Sequence, residues 1–488
     1  MSLLIPGTNS IKDTGYEVAN SVVFENDGNS DSFSRDMVTA TSRRTFTVSM
    51  WLKKTKNGTG SEQYLFHSWQ DSNNRFISSF DSTNILHIRN RTGGSNTLKF
   101  NTNQKFLDTS AWYNIIIAID TTQSTESNRF KLYVNGTQVT SFSTSDYPSQ
   151  NADMSLGTSD FDNILGIYGG GGNGFSGYMC EMVYIDGLQL APTSFGEFDS
   201  NSPNIWKPID VSGLTFGNNG FHLDFENSSS LGADVSGEGH NFTVNNLTST
   251  DQSTDTCTNN FCTLMSNTPS AANFTLSQGN LIVSKSGATT IGLYGSSIML
   301  TNGKWYYESK ITDLGSGDRS RMGVAAYESV TGTSSIQGSY SGFEFTGTTS
   351  GRFSITVAGS TTEIDGFNTY AQGDIIMWAI DMDNTKLYIG KNGDWFNYSS
   401  ANTGGDPTSG NGWVTNNATA LAAPLTVGYV GHAAGVSDST EVQINFGAPP
   451  TGFTISSGNS DGNGYGNFEY AVPSGYYSIN SKNLAEYG

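Results

Sequence analysis

The stretch 375–393 constrains the fold most, because its residue pattern is that of a complete β-hairpin. Residues 375–380 are apolar throughout, as in a strand that is covered on both faces. In residues 386–389 apolar and polar side chains alternate with the two-residue period of a strand. The dipeptide Asn392-Gly393 tolerates positive φ and closes a further turn. The stretch therefore predicts strand, turn, strand and turn.

The same hairpin design occurs earlier in the chain. IIIAID at 115–120 is followed by FKLYVNG at 130–136, which again ends in Asn-Gly. Elsewhere, short β-rich runs alternate with Gly, Asn, Asp and Ser, and we find no long stretch with helical periodicity. The sequence thus predicts an all-β protein with two antiparallel jelly-roll sandwiches in series, joined by a strand-containing linker.

Length and charge exclude several classes of protein. The 488 residues suffice for more than one domain with its own core. Lys plus Arg total 24 against 44 for Asp plus Glu, and this net charge of −20 opposes nucleic-acid binding. No run approaches the ~20 apolar residues of a membrane span. The N-terminus lacks the basic region and apolar core of a signal peptide, so we expect synthesis in a cytoplasm without membrane insertion.

The three cysteines do not form a disulfide framework. Cys180 lies in a predicted strand and is expected to pack as a small hydrophobe. Cys257 and Cys262 are close enough in sequence to pair, but nothing requires it. A zinc site would need a second pair of Cys or His at suitable spacing, so we expect no metal and no cofactor. Whether loop carboxylates, such as those at 160–163, hold calcium stays open.

Several pieces of residues 21–191 carry a family resemblance. They are FTVSMWLKK at 46–54, WYNIIIAID with KLYVNG within 112–136, and GYMCEMVYIDGLQL at 177–190. In this order they resemble the laminin-G-like, concanavalin A-like jelly-roll family. The resemblance implies a sandwich over residues 21–191.

A second resemblance covers residues 271–449. It is carried by NGKWYYESKI at 302–311, RMGVAAYES at 321–329, and the hairpin with its flanks at 373–396. VQINFG at 442–447 supplies the closing strand. These pieces are similar to the SPRY (B30.2-like) family, which implies a second sandwich whose rim loops grip partners.

The remaining segments connect and flank the sandwiches. We expect an N-terminal anchor at 1–20, a linker with short strands at 192–270, and a C-terminal extension at 450–488. The wording of the opening, of the linker and of the NLAEYG ending resembles virion proteins of marine tailed bacteriophages. That resemblance implies attachment to other virion proteins through the N-terminal segment.

Motifs for catalysis are incomplete. Glu181 lacks the carboxylate two residues along that a glucanase strand carries. GNSDG at 458–462 has the letters of a nucleophile elbow but no helix after it. The glycine run at 169–177 enters a strand, whereas a dinucleotide loop leaves one. The D-x-D-N at 381–384 lacks the glycine and distant glutamate of a calcium loop. We therefore expect a structural role for Glu181, no catalytic residue and no enzymatic activity.

Candidate ligand contacts are aromatic residues outside strand interiors. We assign Trp51, Trp112, Trp305 and Trp378 to cores, since they lie inside predicted strands. Exposed aromatic rings in β-sandwich loops stack on sugars or anchor peptides. The candidates are Trp69, Trp395 and Trp413, to which the SPRY resemblance adds the rim residue Arg319.

These observations predict a non-enzymatic surface protein of a tailed-phage virion, of the tail-fibre or adhesin type. It would be assembled in the host cytoplasm, exposed on the particle and bound to a host-surface glycan or protein. We expect a homo-oligomer, since avidity strengthens weak loop-borne contacts, and the resemblance suggests a trimer. The alternatives are a capsid-decorating fibre, a structural tail or head component without a ligand, and a polysaccharide-degrading enzyme.

Overall fold

The chain forms two compact units. The computed structural model describes residues 11–25, 31–58, 60–169, 171–266, 274–286, 295–313, 320–326, 340–346, 350–357, 360–367, 371–397, 403–432 and 440–488. The N-terminal unit is Asp13–Asn259, and the C-terminal unit contains Asn260–Gly488. Both units are β-sandwiches built mainly of antiparallel strand pairs, which confirms the predicted all-β fold class. In the described part of the chain, no helix is long and apolar enough to cross a bilayer.

The N-terminal unit contains the strands β1 to β18. In chain order they are β1 Ser21–Phe24, β2 Ser32–Asp36, β3 Thr45–Lys54, β4 Gln63–Trp69, β5 Arg75–Phe80, β6 Ile85–Thr92, β7 Ser95–Lys105, β8 Trp112–Asp120, β9 Phe130–Val134, β10 Thr137–Gln138, β11 Phe142–Asp146, β12 Asp162–Leu165, β13 Gly177–Asp186, β14 Gly196–Phe198, β15 Trp206–Pro208, β16 Phe221–Leu223, β17 Thr243–Asn245 and β18 Gln252–Ser253. Short 3-10 helices lie at Glu126–Asn128, Pro192–Ser194 and Ser249–Asp251.

Two large sheets of this unit face each other. The back sheet has the order β10-β9-β8-β3-β13-β1-β18, with β16 also paired to β13. The front sheet has the order β11-β7-β6-β5-β4-β12-β2-β17. Aromatic rings meet across the gap: Phe46 of the back sheet contacts Phe76 of the front sheet at 5.8 Å between centroids. Phe100 likewise stacks on Phe130 at 3.9 Å. The core therefore lies between the sheets.

The first hairpin has the predicted form. β8 pairs with β9. The turn that follows β9 contains Asn135 and Gly136, whose φ angles are +46° and +72°. A Cβ on Gly136 would lie 2.3 Å from the ring of Trp206, so only glycine fits this turn. Ile117 points into the core, whereas Ile116 packs in a second apolar cluster on the outer face. The strand is apolar at successive positions because both of its faces are buried.

The segment 192–259, which the sequence suggested as part of a linker, packs in the N-terminal unit. β16 pairs with β13, β17 with β2, and β18 with β1. Phe221 and Phe242 are buried in the sandwich core. The boundary between compact units at residue 259 therefore differs from the predicted linker at 192–270. Because most of this segment is polar, its sequence did not indicate that a few apolar residues anchor it in the sandwich core.

A buried ion pair holds the most polar part of this segment. Lys53 Nζ lies 2.7 Å from Asp255 Oδ2, and both side chains are almost fully buried. Trp112 Nε1 donates a hydrogen bond of 3.2 Å to Asp255 Oδ1. Ser21 Oγ donates one of 2.6 Å to the Asp255 carbonyl. Because a carboxylate supplies the contact, hydrophobicity did not reveal it.

Residues 13–20 also belong to the N-terminal unit. The N–H of Val18 donates to Thr258 Oγ1 at 3.1 Å, and the Thr258 hydroxyl donates to the Val18 carbonyl at 3.2 Å. Val18 is buried in a cluster with Trp51 and Trp112. These two tryptophans are thus buried as predicted, but on the outer face of the back sheet. The proposed anchor at 1–20 therefore overlaps the sandwich from residue 13 onward.

The C-terminal unit contains the strands β19 to β31 and one described α-helix. They are β19 Phe274–Ser277, β20 Ile282–Lys285, β21 Lys304–Asp313, β22 Ser320–Ala326, β23 Tyr340–Thr346, β24 Ser350–Val357, β25 Ser360–Phe367, β26 Ile375–Asp381, β27 Lys386–Lys391, β28 Asp394–Trp395, β29 Leu425–His432, β30 Thr440–Asn445, β31 Tyr477–Ser478 and α1 Ser481–Tyr487.

Two sheets again form a sandwich. One has the order β19-β20-β30-β21-β26-β27-β28, with β31 parallel to β21, and the other has the order β25-β24-β23-β22-β29. Trp305 and Trp378 are fully buried in the core, as predicted. Trp378 stacks on Tyr307 at 5.6 Å. The hairpin of β26 and β27 ends at Asn392, whose φ of +51° has the predicted sign.

The C-terminal extension covers the outer face of this hairpin. Phe468 and Tyr476 pack against Met377 and Tyr388, which point away from the core. The buried carboxylate of Glu308 accepts hydrogen bonds from the N–H groups of Glu469 and Tyr470 at 3.1 and 2.9 Å. This cover explains why β26 is apolar on both faces.

We predict that Asp255→Asn destabilises the N-terminal unit by about 3–5 kcal/mol, because the buried Lys53 ammonium loses its carboxylate. Replacing both residues, as in Lys53→Met with Asp255→Leu, should restore most of the stability, since no buried charge then remains. Chemical denaturation followed by tryptophan fluorescence measures both. An Asp255→Asn variant as stable as the wild type would contradict the role of this pair.

Candidate ligand-binding face of the front sheet

A row of polar and aromatic side chains crosses the outer face of the front sheet. The strand register pairs Asp36 with Asp162, Asp162 with Trp69, Trp69 with Arg75, and Arg75 with Arg91. Directly paired residues of antiparallel strands lie on the same face of a sheet. The row therefore runs over five adjacent strands, from two carboxyl groups through an indole to two guanidinium groups.

Aromatic rings rise beside the middle of this row. Tyr168, in the loop after β12, lies 4.7 Å from the ring of Trp69 and 4.7 Å from that of Tyr64, measured between centroids. A Cβ on Gly169 would lie 2.3 Å from Trp69, so a glycine is needed where this loop meets the indole. Trp69 and Tyr168 both remain partly exposed. We call these two residues the aromatic pair.

Arg75 lies against the aromatic pair. Its guanidinium carbon is 5.5 Å from the centroid of Trp69 and 5.9 Å from that of Tyr168, which is cation–π distance. Its Nη1 donates a hydrogen bond of 3.0 Å to the Tyr168 hydroxyl. Arg91, directly opposite, donates to the carbonyls of Ser72 and Gly94. Neutral groups thus orient both guanidinium groups.

A neighbouring arginine is neutralised. Arg89 Nη2 lies 3.0 Å from Glu62 Oε1, and the Tyr64 hydroxyl donates to Glu62 Oε2 at 2.6 Å. Burial alone would raise the pKa of Glu62, but the bonds from His87 and Tyr64 and the charge on Arg89 outweigh it and hold this pKa at about 2. Glu62 is therefore ionised and balances Arg89.

His67 lies buried beneath the aromatic rings. Its ring centroid is 6.4 Å from that of Trp69 and 6.4 Å from that of Tyr168. Neither ring nitrogen has a hydrogen-bond partner. Burial, with the charge on Arg75 as a smaller cause, lowers the pKa of His67 to about 3. The imidazole is neutral at physiological pH and offers one donor and one acceptor.

The carboxyl groups of Asp36 and Asp162 lie at the other end of the row and interact with each other. Burial of Asp162, followed by its hydrogen bond with Asp36 and the charge on Asp36, raises the pKa of Asp162 to about 6. In the described residues, no group of three or more His, Cys, Asp or Glu side chains is arranged to hold a metal ion.

The structure separates the residues that the sequence singled out as ligand contacts. Trp69 lies on this face. Trp395 and Trp413 are partly buried in the C-terminal unit, in the cluster that contains Tyr306 and Tyr470. Arg319 lies outside the described residues. The roles of all four as ligand contacts stay predictions.

Sequence reasoning missed Tyr168, Arg75 and Arg91, and it considered Asp162 only among the loop carboxylates at 160–163 as candidate calcium ligands. The two-residue spacing of Arg89 and Arg91 in an alternating strand was a usable signal, because it predicts two cations on one face. The partners across the sheet depend on strand register, which no local pattern specifies.

Glu181 and Cys180 lie on β13 of the back sheet, and Cys257 packs against the cluster that contains Cys180, whereas Cys262 is buried in the core of the C-terminal unit. Glu181 has a φ of +48° at a bulge in β13. Its Oε2 lies 3.1 Å from His222 Nε2 and accepts a bond from the Tyr16 hydroxyl at 3.4 Å. Cys257 Sγ lies 3.6 Å from the sulfur of Cys180, and none of the three cysteines forms a disulfide. Cys257 therefore neighbours Cys180, a contact that the sequence did not indicate.

Comparison with known proteins supports part of the predicted family resemblance. A laminin-G-type family model, described as the concanavalin A-like lectin/glucanases superfamily, matches residues 27–187. This confirms the concanavalin A-like resemblance for the first sandwich. No curated protein matches the chain.

Solved structures resemble the chain weakly. A SAP-like pentraxin from Limulus polyphemus is 18% identical, over 36% of this chain and 80% of the pentraxin, with a TM-score of 0.28. The SPRY domain of human HERC1 is 15% identical, over 37% of this chain and 94% of that domain, with a TM-score of 0.27. Domains LG4-5 of mouse laminin alpha1 are 8% identical, over 90% of each chain, with a TM-score of 0.30. Likenesses at this level carry no functional argument.

We predict that Asp162→Asn changes how stability depends on pH. A carboxyl group whose folded-state pKa is raised to about 6 stabilises the fold below its unfolded pKa of about 3.9, and this contribution is lost as pH rises through about 6. The asparagine variant should therefore gain stability relative to the wild type between pH 4 and pH 7.5. Thermal unfolding of both proteins across this range measures the difference. A difference that stays constant with pH would show that Asp162 does not titrate in this way.

Proposed function

We propose that the N-terminal unit binds glycan through the outer face of its front sheet. The observation that carries this proposal is the aromatic pair. The ring centroids of Trp69 and Tyr168 lie 4.7 Å apart, and the guanidinium of Arg75 lies against them. Aromatic rings offer an apolar surface to the C–H face of a sugar, and polar groups around them fix its orientation.

The groups around the aromatic pair suit sugar hydroxyls. Arg75 and Arg91 are hydrogen-bond donors, whereas the carboxyl groups of Asp162 and Asp36 accept. The register of paired strands holds these side chains in place. A rigid sheet that presents donors on one side of an aromatic surface and acceptors on the other supports recognition of a polyhydroxylated ligand.

We propose binding without hydrolysis. Glycosidases place their two carboxyl groups about 5–9.5 Å apart, so that a sugar or a water molecule fits between them. Asp162 and Asp36 lie directly opposite each other on adjacent strands, and their interaction contributes to the raised pKa of Asp162. This geometry supports a role in recognition.

A polysaccharide-degrading enzyme is the second candidate function. The raised pKa of Asp162, about 6, is what a general acid near neutral pH requires. Release of reducing ends from a host glycan by the wild type, lost in Asp162→Asn but kept in Glu181→Gln, would favour this candidate.

We further propose that this glycan-binding unit works on the surface of a tailed-phage virion, as part of a tail fibre or adhesin. The resemblance of the opening, the linker and the ending to phage virion proteins supports the proposal. Attachment to the particle would use the N-terminal segment, of which residues 13–20 pack in the N-terminal unit. Assembly as an oligomer would add avidity to a partly exposed, individually weak site.

Locating the chain in an electron-microscopy map of the particle tests the virion role. Density for the two sandwiches on an external fibre supports the adhesin. Density on the capsid surface would replace it with a decorating fibre.

We predict that Trp69→Ala weakens binding of the purified protein to host cells or to their isolated surface glycan by tenfold or more, about 1.4 kcal/mol. The reason is loss of the stacking surface. Trp69→Phe should keep part of the affinity, because it keeps a ring. Binding is measured by calorimetry, or by cell sedimentation when the glycan is not isolated.

The matched control is Trp395→Ala, which removes a partly buried tryptophan from the C-terminal unit. Its binding should equal that of the wild type, with the fold of each variant checked by circular dichroism. Loss of binding in Trp395→Ala but not in Trp69→Ala would move the ligand site to the C-terminal unit.

A further inference from the structure

The arginines of the front sheet stand out against the charge of the chain. The protein carries 44 acidic side chains against 24 Lys and Arg, for a net charge of −20. Yet the front sheet places Arg75 and Arg91 directly opposite each other in register on its outer face. Like charges at directly opposed positions of a sheet repel and destabilise it. Two arginines therefore lie side by side on the surface of a protein that is rich in carboxylates.

Neither guanidinium group is neutralised by a carboxylate. In the part of the chain that the structure describes, no ion pair involves Arg75 or Arg91, whereas Arg89 is paired with Glu62. The nearby carboxylate of Asp71 accepts the N–H groups of Asn73 and Asn74 at 2.6 and 2.9 Å within its own turn. The charges of Arg75 and Arg91 therefore remain available to a ligand.

The remaining contacts orient these groups without satisfying them. Arg75 Nη1 is bound to the Tyr168 hydroxyl, and Arg91 uses its Nη atoms on the carbonyls of Ser72 and Gly94. The Nε atoms of both arginines are buried and have no hydrogen-bond partner, so a ligand would meet the Nη atoms. An arginine held in place by neutral acceptors keeps its full charge, and its planar fork matches the oxygens of a carboxylate or a sulfate.

A buried, unpartnered polar group lies at the same place. His67 is completely buried next to Trp69 and Tyr168, and both of its ring nitrogens lack partners. Buried polar atoms without partners are rare in folded proteins and call for an explanation. A ligand hydroxyl reaching between the aromatic rings would supply a partner that the chain itself does not.

From this arrangement, and resting on the proposed glycan-binding function, we propose that the ligand is an anionic polysaccharide. One of its carboxylate or sulfate groups binds between Arg75 and Arg91 while a neighbouring sugar ring stacks on Trp69 and Tyr168. Sulfate and carboxylate share the chemistry that this site recognises, and the experiment below distinguishes them. The acidic surface elsewhere repels polyanions, so binding depends on this one site.

The test uses the full chain and probes with one polymer backbone: dextran, carboxymethyl-dextran and dextran sulfate. We expect the wild type to bind at least one of the two charged polymers tenfold or more tighter than dextran. The polymer that binds identifies the group as carboxylate or sulfate. Arg75→Gln combined with Arg91→Gln should remove this preference and flatten the dependence of affinity on salt.

Two further variants keep the test decisive. Lys131→Gln removes one charge from the outer face of the back sheet, and it should bind charged dextrans like the wild type. Arg91→Lys keeps the charge but loses the planar fork, and it should bind with intermediate affinity. It serves as the folded reference if the double variant is unstable.

Each outcome decides between the inferences. Equal binding of neutral and charged dextrans, or equal losses in Lys131→Gln and the arginine variants, would overturn the anionic ligand and leave glycan binding intact. If the Trp69→Ala variant binds host cells as tightly as the wild type, the proposed glycan-binding function is contradicted. Charge-dependent binding lost only in the arginine variants supports the proposal.

Discussion

Burial of both faces of the central strands is the constraint on which the rest of the structure depends. β8 and β26 are apolar at successive positions, so each must be covered on the side that faces away from its core. In the N-terminal unit, side chains from the segment after β13 provide this cover, as Phe195 does for Ile116. In the C-terminal unit, Phe468 and Tyr476 provide it. Segments with little strand pattern of their own thus become part of each sandwich.

The front sheet, in contrast, is partly exposed on its outer face. Its inner face contributes residues such as Phe66 and Phe76 to the core, while its outer face carries Trp69, Arg75 and Arg91, all partly exposed. The central strands β3, β8 and β13 of the back sheet are buried on both sides, whereas the front sheet presents a regular array of functional groups to solvent. Recognition is therefore proposed for a sheet face, whereas the sequence had suggested loops.

Polar contacts explain where the sequence reading departed from the structure. The run around Asp255 is poor in apolar residues, and low hydrophobicity suggested an extended linker. Its carboxylate instead pairs with Lys53 at 2.7 Å, in the interior of the N-terminal unit. Trp51 was rightly expected to be buried, but it lies under Val18 on the outer face and not between the sheets. Periodicity reports that a side chain is buried, but not what covers it.

The sequence by itself determined the fold class, the two hairpins and the positions of their turns, because alternation and Asn-Gly dipeptides are local signals. It also marked Trp69 as a candidate. Only the tertiary structure decided that Trp69 stands between Asp162 and Arg75, and that Arg91 lies beyond. Those neighbours come from three other strands, separated in sequence by loops of different length. Their meeting depends on strand register, which is set by packing of the whole sandwich and not by any single stretch of residues.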